Sequence, residues 1–155
     1  MPDGDLNKLL GKAARFCTIR ERSAKEVEAK LIKWQVDEKQ IATIISKLKK
    51  EGFLDEERFV RAYCHDKFEF NKWGKIKIRV EIKRHLNDED LIQTGLNHID
   101  SHRYQEILLE LAKKKWESIL SKDEFEKKQK VAAYLIRKGF ESHLVFDQLD
   151  KMSYS

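Results

Sequence analysis

The apolar positions of this chain repeat along its length. Val27, Leu31, Ile41, Ile45 and Leu48 are matched 51 residues further on by Ile78, Ile82, Ile92, Leu96 and Ile99. A second shift, of 53 residues, carries Ile78, Ile82, Leu91, Ile92 and Leu96 onto Val131, Leu135, Leu144, Val145 and Leu149. Within each block the spacing of three and four residues is that of a helix face turned toward a core. A unit of this length, recurring without gaps, predicts helical modules that stack and bury their apolar faces against one another.

Polar residues punctuate the pattern at matching places. Ser23 followed by Glu26 is a capping box, and Ser121 with Glu124 reads the same way in the last block. Asp37 and Asp88, 51 residues apart, are each placed to cap the last helix of a unit. Gly52 and Gly139 follow the basic pairs Lys49-Lys50 and Arg137-Lys138, which marks them as helix C-termini with glycine in the left-handed conformation. The expected fold is all-α, with three tandem units of three helices at residues 13–53, 54–101 and 102–151 after an N-terminal end at 1–12. The predicted helices are Leu6–Thr18, Ser23–Trp34 and Asp37–Glu51, then Asp55–Asn71, Gly74–His85 and Asp88–Ile99, then His102–Ile119, Asp123–Lys138 and Ser142–Asp150.

One segment pulls the other way. Lys75-Ile76-Lys77-Ile78-Arg79-Val80-Glu81-Ile82 alternates strictly and is rich in β-branched residues, which by itself signals a strand. Ile78, Ile82 and Leu86 also lie four apart, and a lone strand has no partner in this chain, so a helix is expected. Ile76 and Val80 then form a second stripe, expected to pack on a neighbouring unit.

Composition agrees with long, solvated helices: 155 residues, 41% hydrophobic and 38% charged, with one proline. No apolar run reaches the roughly 20 residues of a membrane span, and the N-terminus lacks a leader pattern, so a soluble, cytoplasmic protein is expected; a monomer is expected as well. Cys17 and Cys64 have no ligand-like spacing and are expected to be buried or half-buried free thiols. With 32 Lys and Arg against 27 Asp and Glu, the net charge of +5 permits a polyanionic partner without requiring one.

No catalytic constellation stands out, and neither a cofactor nor a metal site is expected. Gly11-Lys12 lacks the rest of a phosphate-binding loop, and His98 with His102 lacks a third ligand. Asp55, Glu56 and Glu57 are the carboxylates a helix start attracts. More suggestive is the run from Lys67 to Arg84. It places Lys67, Lys72, Lys75, Lys77, Arg79, Lys83 and Arg84 against only Glu69 and Glu81, with Phe68, Phe70 and Trp73 interleaved. Such a surface suits phosphates or an acidic protein groove. Major-groove reading by a helix-turn-helix is disfavoured, because the last helix of each unit opens with Asp37-Glu38, Asp88-Glu89-Asp90 or Glu141, which would repel phosphates.

Three segments carry a family resemblance. They are Arg20-Glu21-Arg22-Ser23-Ala24-Lys25-Glu26 with Leu31 downstream; Gly52-Phe53-Leu54-Asp55-Glu56-Glu57-Arg58-Phe59 followed by Lys72-Trp73-Gly74; and Leu135-Ile136-Arg137-Lys138-Gly139-Phe140. The chain resembles RecX, the bacterial regulatory family that modulates the recombinase RecA. Lys72 stands where a glycine commonly precedes the aromatic-glycine turn of that family.

The resemblance implies an elongated, curved array of three-helix units without enzymatic activity. It implies binding along the groove of a RecA filament on single-stranded DNA, with suppression of ATP hydrolysis and strand exchange. On this reading Arg61, Lys72, Lys75, Arg79, Lys83 and Arg84, with Arg137 and Lys138, are expected to meet the filament or its DNA. The alternatives are a general nucleic-acid-binding helical module and a helical-repeat scaffold for another protein.

Overall fold

The computed structural model describes residues 2–153, which form α1 (Pro2–Ile19), α2 (Ala24–Lys33), α3 (Glu38–Lys50), α4 (Glu56–Glu69), α5 (Lys75–Ile82), α6 (Glu89–Asn97), α7 (Ser101–Ser118), α8 (Glu124–Arg137) and α9 (Ser142–Ser153). No strand occurs among the described residues. The alternating segment is helix α5, and its four-residue spacing decides the matter: Ile78 and Ile82 are both fully buried. Ile76 and Val80, expected against a neighbouring unit, are instead 51% and 61% exposed. The burial of Ile78 and Ile82 turns them outward, because residues two apart on a helix lie on different sides of it.

Short aspartates open most of these helices. Asp37 accepts from the Gln40 amide at 3.0 Å, Asp55 from Arg58 at 3.1 Å, Asp88 from Leu91 at 3.1 Å and Asp100 from Arg103 at 2.8 Å, each satisfying an amide the helix itself cannot. Ser23 and Glu26 form the full capping box of α2. Ser121 does not cap α8: that role falls to Asp123, which accepts from Phe125 at 3.0 Å, while the Ser121 hydroxyl donates to Glu126 at 2.9 Å. A carboxylate two residues closer to the helix takes the place of the serine. At the other ends, Gly52 (φ 81°) and Gly139 (φ 98°) adopt the left-handed conformation read from the sequence.

Helices α1, α2 and α3 enclose one core of Ala13, Cys17, Val27, Leu31, Ile41, Ile44, Leu48 and Leu54, with Leu6, Leu9 and Leu10 of α1 packed on its edge. Helices α4 to α9 do not divide in the same way. Their buried residues form a single cluster running from Phe59 and Ile78 through Tyr104 to Leu135 and Leu149. Two glycines permit the fusion. The Gly74 amide donates to Lys138 O at 2.7 Å and Ile76 to Gly139 O at 3.0 Å, so the α4–α5 turn lies directly on the α8–α9 turn. Aromatic rings continue the seam, with Phe68 to Tyr104 at 5.6 Å between centroids and Tyr104 to Phe140 at 5.2 Å.

The first unit meets the second through polar groups. Arg58 of α4 reaches back to Glu21 at 3.1 Å and donates to Gly52 O at 2.8 Å, and Glu26 of α2 lies 3.7 Å from His85 just past α5. Cys17 and Cys64 are buried free thiols in separate cores, and burial pushes the Cys64 thiol up to about 12.

Candidate functional site

The seam between the second and third units gathers cations from turns far apart in sequence. Lys72, half-buried in the α4–α5 turn, sits in the left-handed region at φ 57°, the conformation a glycine would adopt without cost. Lys138, at the end of α8, donates from Nζ to Asn71 O at 2.9 Å. Burial lowers the pKa of Lys138, and the neighbouring ammoniums of Lys77 and Lys72 lower it further. Three like charges therefore share one spot, and among the described residues no carboxylate forms an ion pair with any of them. An approaching anion relieves that repulsion, which makes the seam a place of stored attraction for negative charge.

Aromatic rings hold the surrounding lysines. Lys67 and Lys77 lie over the Trp73 ring at 5.1 and 4.7 Å, and Lys75 lies over Tyr104 at 4.9 Å. Tyr104 fixes the seam from beneath: its hydroxyl accepts the Lys75 amide at 2.9 Å and donates to Glu141. Burial and the Glu141 hydrogen bond raise the tyrosine pKa, so Tyr104 stays a neutral donor. Neither Tyr104 nor its partner was accessible to sequence reasoning, since the two lie 37 residues apart and each looked locally ordinary.

The remaining basic residues singled out on sequence fall elsewhere. Arg79 and Lys83 converge on one carboxylate, Glu89, at 3.0 and 2.6 Å, and these contacts hold Glu89 below the usual carboxylate range, the Lys83 hydrogen bond most of all. Arg84 is paired with Glu81 at 3.3 Å. Arg61 lines a cleft of about 600 Å³ with Ala62, Phe68 and Ile99, and lies 3.7 Å from Glu57. Arg137 is exposed in the last turn of α8, one residue from Lys138. The structure thus brings together Lys72 and Lys138 and adds Lys77, with Lys75 beside them on Tyr104; Arg137 adjoins the group only as the chain neighbour of Lys138. It sets Arg79, Lys83 and Arg84 along α5 in local ion pairs and separates Arg61 from both groups. The sequence carried a signal for Lys77, which stands inside the basic run, but none for which lysines lack a carboxylate.

The aromatic residues also divide. Phe68 is core and Trp73 packs on the core, while Phe70 is 76% exposed. His98 and His102 do not converge: His98 Nδ1 lies 2.8 Å from Thr94 O and His102 pairs with Glu106 at 2.8 Å. Among the described residues no helix is long and apolar enough to cross a membrane.

Comparison with known proteins places the whole arrangement. The first, second and third three-helix domains of RecX match in order, over residues 10–56, 55–96 and 103–149. The regulatory protein RecX of Chlorobium phaeobacteroides (strain BS1) is 30% identical over 152 residues, 98% of each chain. That of Prosthecochloris aestuarii (strain DSM 271 / SK 413) is 26% identical over 152 residues, again 98% of each. The crystal structure of RecX from Lactobacillus salivarius superposes with a TM-score of 0.87 at 21% identity over the full length of both chains. Three helical domains in the same order, in relatives of the same length, show that this chain belongs to the RecX family of regulatory proteins.

Proposed function

We propose that this protein is a non-enzymatic, cytoplasmic regulator that binds a RecA recombinase filament on single-stranded DNA as a monomer and suppresses its ATP hydrolysis and strand exchange. The observation that carries the reading is the group of Lys72, Lys77 and Lys138, none of them in a close ion pair among the described residues, mounted on a seam where the α4–α5 and α8–α9 turns are joined by backbone hydrogen bonds. A cationic platform already held by backbone hydrogen bonds has less conformational entropy to lose when a polyanionic assembly docks on it. A chain of three units, taken as residues 13–53, 54–101 and 102–151, spreads its contacts over successive protomers, so several weak contacts add to one firm attachment. On this reading Arg137 and Lys75 join the seam lysines, while Arg61, Arg79, Lys83 and Arg84 contribute less to the seam, since each already forms an ion pair, Arg79 and Lys83 sharing the one carboxylate of Glu89.

A general single-stranded nucleic-acid module is the less favoured reading, because binding without sequence preference relies on aromatic platforms for bases. Phe68 is buried and Trp73 carries two ammoniums over its ring, which leaves Phe70 as the exposed ring of the three. The experiment is titration of this protein into RecA hydrolysing ATP on single-stranded DNA, with binding to the naked DNA as control. Suppression at concentrations too low to coat the DNA is expected; tight DNA binding with no effect on hydrolysis would replace the proposal with the nucleic-acid module. Replacing Lys72 and Lys77 by glutamate is expected to weaken filament association by about tenfold or more, as charge reversal at an electrostatic contact does, with helical content unchanged by circular dichroism.

A further inference from the structure

Helix α5 carries a face that the fold leaves uncovered. At 100° per residue, Ile78 and Ile82 define its buried side, and the opposite side presents Ile76 and Val80 in one line. Lys77 flanks the line on one side and Arg79 on the other, with Lys83 and Arg84 continuing it beyond the end of the helix. Glu89 holds Arg79 and Lys83 in place, and Glu81 holds Arg84. The Ile76 amide donates to Gly139 O at 3.0 Å, which brings the end of α8, with Ile136 at 44% exposure and Arg137 beyond it, to the edge of the same face.

An exposed isoleucine and valine are poor choices for this helix. β-branched residues lose χ1 freedom in a helix, and each of these side chains leaves half or more of its surface in water in the free protein. An exposed aliphatic pair gains free energy only when something apolar covers it. The surroundings specify the charge of what does so: Lys72, Lys75, Lys77, Arg79, Lys83 and Arg84 surround the stripe, and the carboxylates paired with them are Glu81 and Glu89, so cations remain in excess.

We propose that the Ile76–Val80 face of α5 docks directly on protein, against an acidic surface that places aliphatic side chains between its carboxylates. Resting on the function proposed above, that surface belongs to the recombinase and not to its DNA. Phosphates reward the lysines but give nothing to isoleucine or valine, and unstacked bases seek aromatic rings or guanidinium planes. An aliphatic stripe bordered by cations matches the usual composition of a protein contact, with an apolar centre and a polar rim.

The test compares wild type with the double variant I76A/V80A, which keeps helix propensity because alanine is the best helix former, and with I32A as a control on α2, where Ile32 is also exposed. Each is titrated against RecA assembled on a labelled oligothymidylate with a non-hydrolysable ATP analogue, and against the naked oligothymidylate. The double variant is expected to bind the filament at least tenfold more weakly, with unchanged binding to the naked strand, an unchanged melting temperature and wild-type behaviour of I32A. Filament binding equal to wild type would overturn the docking face alone. A parallel loss on naked DNA would assign the face to nucleic acid and overturn the proposal. Failure of the wild type itself to bind the filament would overturn the proposed function, and this inference with it.

Discussion

At residue 74 a side chain has nowhere to go. A Cβ there would lie 2.3 Å from Gly139 C and from Phe140 N, both backbone atoms that cannot rotate aside. Gly139 faces the same constraint, with Lys77 Cβ at 2.3 Å, and adds a φ of 98°. Gly52 also has positive φ but meets nothing within 4 Å. Gly52→Ala is therefore expected to cost about 1–2 kcal/mol, the penalty of the left-handed conformation. Gly74→Ala should cost about 3 kcal/mol or more, because overpacking at a backbone contact forces the seam apart. Urea melts of the two variants check the contrast, and equal losses would show that the seam can open. Gly95 meets a similar limit beneath Val60, where a Cβ would lie 2.5 Å from Val60 Cγ1. Its counterpart one repeat earlier is the fully buried Ile44, so the first unit uses a side chain where the second lets two helices approach.

Elements α2 and α5 touch through a titratable pair. His85, just past α5, packs 5.4 Å from the rings of both Phe59 and Tyr63. Burial lowers its pKa, outweighing the attraction of Glu26 that would raise it. The unfolded histidine, with a pKa near ~6.5, thus binds protons at a pH where the folded one does not. The stability it contributes is complete above that value and is lost as the pH falls through the window below it. Glu26 acts in the same direction at lower pH. Burial would raise its pKa, but the Arg20 and Ser23 hydrogen bonds outweigh burial and hold it low, so its contribution is lost on acidification below about 4. Denaturant midpoints should fall between pH 7.5 and pH 5.5, and His85→Gln should flatten that dependence. A midpoint independent of pH in the wild type would exclude His85 as a contributor.

For the whole molecule, the distribution of core matters more than the number of repeats. The first unit has its own core, whereas α4 to α9 share one. Free energies of local opening follow such divisions. Native-state hydrogen exchange is expected to show the buried amides of α4, α5, α6, α7, α8 and α9 protected to one common level, with α1 to α3 opening at a separate one. Separate levels for α4–α6 and α7–α9 would mean that the glycine seam does not couple them. The second and third units thus share one core, and the joint to the first unit is polar, made by Arg58 with Glu21 and by His85 with Glu26.

Much of this architecture was legible in the amino-acid order because it depends on local chemistry. The period of apolar residues placed the helices, Asp37 and Asp88 marked their starts, and Gly52 and Gly139 their ends, since each acts within one turn of chain. Helix α5 was settled by four-residue spacing against a two-residue pattern. The Ser121 cap failed because Asp123 stood closer and both satisfied the same rule. The candidate site was legible only as a basic run. Charge can be counted in sequence, but which lysines are neutralised depends on where Glu89 and Glu81 fall, and which remain exposed to one another depends on a turn 67 residues away. Likewise the exposure of Ile76 and Val80 followed from which stripe of α5 the neighbouring helices covered. Local order determined the helices and their periodic faces; tertiary packing alone decided the seam, the pairing of its charges and the face left open, because those arise from contacts between residues that nothing in the chain sets side by side.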